Sequence, residues 1–189
     1  MRKVYLNHDG GVDDLVSLYL LLKMEDVELV GVGVIEADCY LVPAVEASKK
    51  IIHKFGSEKD KQLKVASSDS RPVNPFPKEW RMHAFTVDAL PILNEHKPIT
   101  VQDSPLKAHE DLIRALKESD EKVDLVFVGP LTDLARALDQ DPTIEENIGK
   151  LYWMGGTFLD MGNVEDPEHD GTAEWNVYWD PFAAKRVWE

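Results

Sequence analysis

The stretch VYLNHDGGVDDLVSLYLLLK, residues 4–23, decides the fold. Val4-Tyr5-Leu6 is a short apolar run stopped by Asn7-His8-Asp9-Gly10-Gly11, and from Val12 onward Leu15, Val16, Leu18, Tyr19 and Leu22 recur at helical spacing. That order reads as strand, tight turn, helix. Outward from it the same alternation repeats. VELVGVGVI (27–35) is nearly continuous in Val, Leu and Ile, as a strand covered on both faces is. Pro43 is expected to open a helix that Gly56 ends, and LKVASS (63–68) reads as a third strand. Helical spacing returns in LKAHEDLIRALKES (106–119), then come the strand VDLVFVG (123–129), a helix from Pro130 through Asp139, the strand KLYWMGG (150–156) and a last helix opened by Pro181. Strands alternating with helices predict an α/β domain: an open, mainly parallel, Rossmann-like sheet flanked by helices, one domain over residues 1–189. Residues 69–106 differ, with Pro72, Pro75, Pro77, Pro91, Pro98 and Pro105 around Trp80, Arg81, Met82, His83 and Phe85. A stretch of that length and composition is expected to be a functional lid or insertion.

Composition narrows the function. Of 189 residues, 43% are hydrophobic and 30% charged, which suits one globular domain. Lys and Arg number 21 against 35 Asp and Glu, a net charge of −14, the wrong balance for holding a nucleic-acid backbone. No apolar run approaches the ~20 residues of a membrane-spanning helix. The N-terminus turns polar after Leu6, too early for the apolar core of a signal peptide, so a cytoplasmic protein is expected, with a homo-oligomer left open. A single cysteine, Cys39, forbids an internal disulfide and leaves oxygen and His as metal ligands.

Asp9, Asp13 and Asp14 fall within six residues, with no Lys or Arg between Val4 and Leu22 to offset them. With the strand ending near His8 and the helix starting near Val12, all three gather at the carboxyl edge of the sheet, where open α/β folds bind ligands. Crowded carboxylates repel one another, and a hard cation such as Ca²⁺ or Mg²⁺ relieves the conflict. The competing reading gives Asp13 and Asp14 to the helix dipole and Asp9 to a turn cap. A phosphatase with an aspartyl nucleophile is disfavoured, because Asn7 stands at the nucleophile position and an amide cannot serve.

NHDGGVDDLVSL (7–18) resembles the N-terminal signature of the inosine-uridine nucleoside hydrolase family, usually D-x-D-x-G-x-D-D. VFVGPLTDLARAL (126–138), WMGGTF (153–158) and GNVEDPEHDGTAEWNVYWDPFAA (162–184) resemble further segments of that family, in its order and over essentially the whole chain. Three positions depart from the usual pattern: Asn7 replaces Asp, Asp133 replaces Asn, and Asp38 stands where Asn is common.

The resemblance implies Ca²⁺-dependent hydrolysis of the N-glycosidic bond of ribonucleosides. It makes Asp9 a calcium ligand and general base, Asp14 a second ligand, the Thr132 carbonyl a third, and Asp13 an acceptor for ribose hydroxyls. Asn163, Glu174 and Asn176 supply further hydroxyl partners, as an acceptor-only carboxylate and two amides suit a vicinal diol. Trp175 is placed to pack against sugar or base. His83, with Arg81, belongs to the expected lid over the base. Relatives continue beyond the position matching Glu189 and carry a His-Asp pair there, so an incomplete version of the enzyme is expected. The alternative is a metal- and ribose-binding domain without turnover.

Overall fold

In the computed structural model, residues 1–76, 83–95, 98–165 and 168–189 are described. β1 (Arg2–His8) leads through Asp9-Gly10-Gly11 into α1 (Val12–Lys23). β2 (Val27–Val34) and α2 (Leu41–Phe55) follow, then β3 (Lys64–Ser67) and the two-residue β4 (Gln102–Asp103). α3 (Ala108–Glu118), β5 (Val123–Phe127), α4 (Thr132–Gln140) and β6 (Ile148–Trp153) form the second half. α5 (Trp175–Trp179) and α6 (Pro181–Trp188) end the chain. All strand pairs are parallel, in the order β4-β3-β2-β1-β5-β6.

Alternation along β1 explains the two cores. Val4 and Leu6 pack with Leu15, Leu18, Ile51 and Ile52 of α1 and α2, whereas Tyr5 packs with Leu112, Leu116, Leu125 and Leu134 of α3, β5 and α4. Strand order reverses at β1, since β2 to β4 extend to one side and β5 and β6 to the other. The crevice at the carboxyl ends of β1 and β5 is therefore the switch point at which such sheets bind ligands.

Three local expectations are revised. α2 starts at Leu41, two residues before Pro43, because a proline in the first turn gives up an N–H that has no helical partner there. The stretch before Pro181, read as a loop, contains the one-turn α5, whose N-terminus is capped by the Glu174 side chain. Within the proline-rich segment, Ala84, Val87, Leu93 and Val101 are buried in the α1–α2 core, and Gln102–Asp103 adds the edge strand β4. Pro77 to Met82, which include Trp80 and Arg81, lie outside the described residues, as does His96.

Candidate active site at the carboxyl end of the sheet

A cavity of about 470 Å³ opens at the β1/β5 switch point, its acidic wall made by Asp9, Asp13, Asp14 and Asp38. Asn163, Glu174 and Asn176 also line it, with Trp175, Phe76 and Trp179 as aromatic neighbours and Val128 and Met154 from the sheet end. Among the described residues no Lys, Arg or His lines it.

The turn after β1 explains how the acids come together. Gly10 has φ +89°, and a Cβ there would come within 2.4 Å of the Ala44 Cβ, so α2 packs directly on the turn. The turn points its N–H groups inward: Asp14 Oδ2 accepts from the backbone of Asp9 and Gly10, both at 3.0 Å, and of Gly11 at 3.3 Å. Part of the capping reading therefore holds for Asp14. Asp9 Oδ2 accepts from the Asp38 N–H at 3.4 Å. Burial, then the neighbouring Asp14, holds the Asp9 carboxyl well above the usual carboxylate range. Burial likewise pushes Asp14 up to about 6, against the hydrogen bonds that favour its anion. The turn after β5 comes equally close, since a Cβ on Gly129 would meet Asp9 Cγ at 3.2 Å.

His8 turns to the α2 side, as strand alternation implies, yet its Nδ1 remains 4.0 Å from Asp14 Oδ2. Nδ1 accepts from the Gly10 N–H at 3.2 Å, and Nε2 lies 3.0 Å from Ser48 Oγ, which itself donates to the Ala44 carbonyl. That pattern requires the neutral ring protonated on Nε2. Burial holds its pKa at about 4, so His8 supports the turn without adding charge.

The other expected residues divide. Asp13 is exposed at the mouth, its carboxylate and that of Asp38 flanking Gly11, where a Cβ would lie 2.8 and 2.9 Å from them. Asn163, which lines the cavity, accepts from the Trp175 N–H through Oδ1 at 2.9 Å, which commits the oxygen to the local fold. Glu174 caps α5 through the Asn176 and Val177 N–H groups and holds Gly156 N–H at 2.8 Å, so three of its acceptor positions are structural. Asn176 is buried; its Nδ2 donates to Met154 at 2.8 Å and Val128 at 3.3 Å, and its Oδ1 has no partner among the described residues. Trp175 packs against Phe76, Tyr178 and Trp179.

Two expectations are not brought to the cavity. Thr132 opens α4 and its Oγ1 is bound to Asp180 at 2.6 Å; Val128, four residues earlier, is among the residues that line the cavity. His83 is exposed at the start of a short 3₁₀ turn with Phe85, whose ring stacks on Tyr40 at 4.2 Å, and it does not line the cavity. Phe76 and Val128 were missed: the proline-rich context hid the first, and nothing in a valine side chain advertises its carbonyl. Among the described residues no three acidic, His or Cys side chains converge on one metal position. The side chains on the acidic side, those of Asp9 and Asp14 among them, offer carboxylate oxygens, the donor type that suits a hard cation.

The match to known families is decided by residues 4–189, which fit the model of the inosine-uridine preferring nucleoside hydrolases. The chain belongs to that family. A nucleoside hydrolase of this kind from Bacillus anthracis superposes with a TM-score of 0.94 at 62% identity, covering 100% of this chain and 62% of that one. The purine-preferring ribonucleoside hydrolase of Gardnerella vaginalis gives 0.74 at 26% identity, over 98% of this chain and 57% of its own. The pyrimidine-specific ribonucleoside hydrolase RihB of Escherichia coli is 27% identical over 98% of this chain and 56% of its length. The chain thus spans between about half and two thirds of the relatives it matches. No helix among its described residues is long and apolar enough to cross a membrane.

Proposed function

We propose that this chain carries the ribose- and cation-binding core of a ribonucleoside hydrolase, with Ca²⁺ held by Asp9, Asp14 and the Val128 carbonyl in place of Thr132. The observation that carries the reading is one cavity at the switch point lined both by the buried carboxyl groups of Asp9 and Asp14 and by Asn163, Glu174 and Asn176, whose amides and carboxylate suit a diol. When bound, the cation polarises the attacking water and offsets the crowded carboxylates.

The protein groups then have distinct tasks. Asp9 accepts the proton of the water that attacks C1′, and the electron pair of the broken C1′–N bond leaves with the base, which takes a proton from solvent. Asp13 accepts from ribose hydroxyls, joined by the Asn163 amide and the unpartnered Asn176 Oδ1. The acidic wall favours the positive charge that develops on the sugar, an interaction that grows toward the transition state. Trp175 supplies an apolar face for sugar or base.

Relatives are named for both purine and pyrimidine preference, so inosine and uridine are the substrates to test. Ribose release from both is expected with Ca²⁺, to fall at least ~100-fold in Asp9→Asn and to be abolished by a chelator. Binding of nucleoside without ribose release would instead support the non-catalytic domain; the absence of a basic side chain on the described cavity wall, which leaves the departing base to solvent, favours that second reading.

A further inference from the structure

On the face of β1 opposite His8, a second polar cluster is sealed in the core. Asn7 and Asp133 are both fully buried. Asn7 Nδ2 donates to Asp133 Oδ2 at 3.1 Å, and Ser68 Oγ donates to Asp133 Oδ1 at 2.7 Å. The three residues come from the ends of β1 and β3 and the first turn of α4. Asn7 and Asp133 are also the two neighbouring departures from the usual motif pattern, an amide where a carboxylate is usual and the reverse.

Three features show that the pair is specified and does not merely fill space. Gly33 on β2 faces it, and a Cβ there would lie 2.7 Å from Asn7 Nδ2, so the neighbouring strand is cut back to admit the amide. Asn7 Oδ1 is left buried without a partner among the described residues, a cost the structure accepts to aim Nδ2 at the carboxylate. Asp133 lies in the first turn of α4, where the helix dipole favours a negative charge. The carboxyl group of the pair thereby sits on α4, away from the strand that delivers Asp9.

We infer that Asn7, Asp133 and Ser68 form a positioning cluster that fixes the turn after β1, which carries Asp9, against the turn after β5, which carries Val128 and Gly129. The inference rests on reading those two turns as the site. Asn7 is two residues from Asp9, and its own carbonyl accepts from the Val128 N–H at 3.0 Å, so one residue touches both turns. A shift of the amide displaces the two sets of donors relative to each other.

The test is the reciprocal exchange. Asn7→Asp alone sets two carboxylates face to face. Asn7→Asp combined with Asp133→Asn restores the bond with donor and acceptor exchanged, Asn at 133 keeping an oxygen for Ser68. Two readouts are used: Ca²⁺ affinity by calorimetry, and the indole N–H resonance of Trp153, assigned with Trp153→Phe. That indole donates to the Gly129 carbonyl at 3.1 Å and reports the β5 turn without any metal. Asn7→Asp is expected to move the resonance and weaken Ca²⁺ at least ~10-fold, and the double variant to return the resonance and come within about threefold of the parent, a coupling typical of contacting residues. If Asn7→Asp does not fold, recovery of the folded spectrum and parental resonance in the double variant still supports the cluster. An unmoved resonance in folded Asn7→Asp, or a double variant no better than the single, overturns it. If the parent binds no Ca²⁺, the cation reading fails, while the Trp153 resonance still decides the positioning claim.

Discussion

Replacing Asp14 by Asn and by Ala separates its two tasks. The carboxylate accepts three backbone N–H groups from the turn after β1, and burial raises its pKa to about 6. Against an unfolded value of ~3.9, a folded pKa of about 6 makes the buried anion cost about 3 kcal/mol at neutral pH. The sign follows from the shift: both states are protonated below about pH 4, the fold loses this stability as pH rises to about 6, and the loss is complete above. Asn keeps an acceptor for the turn and removes the charge, so without metal it recovers up to that ~3 kcal/mol less the cost of seating its NH₂. Ala also removes the charge but orphans the Asp9 and Gly11 N–H groups at ~1–3 kcal/mol each, Gly10 keeping His8 Nδ1 as acceptor, so its net effect is a loss relative to Asn. Urea unfolding at pH 7.5 with chelator should rank Asn at or above the parent and Ala below it. Ca²⁺ at 100-fold over its Kd should stabilise the parent by about 2.7 kcal/mol and neither variant. An Asn variant as weak as Ala, or Ca²⁺ stabilising all three alike, would refute the reasoning.

Further expectations follow from the same geometry. Because Ca²⁺ competes with protons at Asp14, its affinity should fall as pH drops below about 6, measured by calorimetry between pH 5 and 7.5; constant affinity would place the cation elsewhere. Gly129→Ala puts a Cβ 3.2 Å from Asp9 Cγ and should lower kcat for inosine with a stability loss of ~1–3 kcal/mol; unchanged turnover would mean that Asp9 tolerates displacement. Glu174→Ala removes the acceptor of three N–H groups around α5 and should weaken riboside binding together with thermal stability, whereas a binding loss at unchanged Tm would make its role purely ligand contact.

Much of the fold was legible because local signals agree. Val4-Tyr5-Leu6 followed by two glycines and a helical repeat from Leu15 can be little else than strand, turn and helix, and β2 and β5 read in the same way from their apolar runs. The sheet's being all parallel follows from the helical crossovers between its principal strands. β4 was hidden, since two polar residues at an edge carry no period, and α5 was hidden because its single turn depends on Glu174 as cap. In the site, the acidic residues were visible as a charge cluster, but what each one touches was not. Asp14 serves the backbone as well as the cavity, Thr132 turns to Asp180, and Val128 lines the cavity without any polar side chain to announce it. The meeting of Asn7 with Asp133, 126 residues apart, is a tertiary contact that no local pattern encodes.

The most direct measurement is a crystal structure grown with Ca²⁺ and ribose. The account predicts a cation within ~2.3–2.6 Å of carboxylate oxygens of Asp9 and Asp14 and of the Val128 carbonyl, with the ribose hydroxyls against Asp13 and the amides of Asn163 and Asn176. A cation bound away from Asp9 and Asp14, or ribose seated outside this cavity, would contradict it.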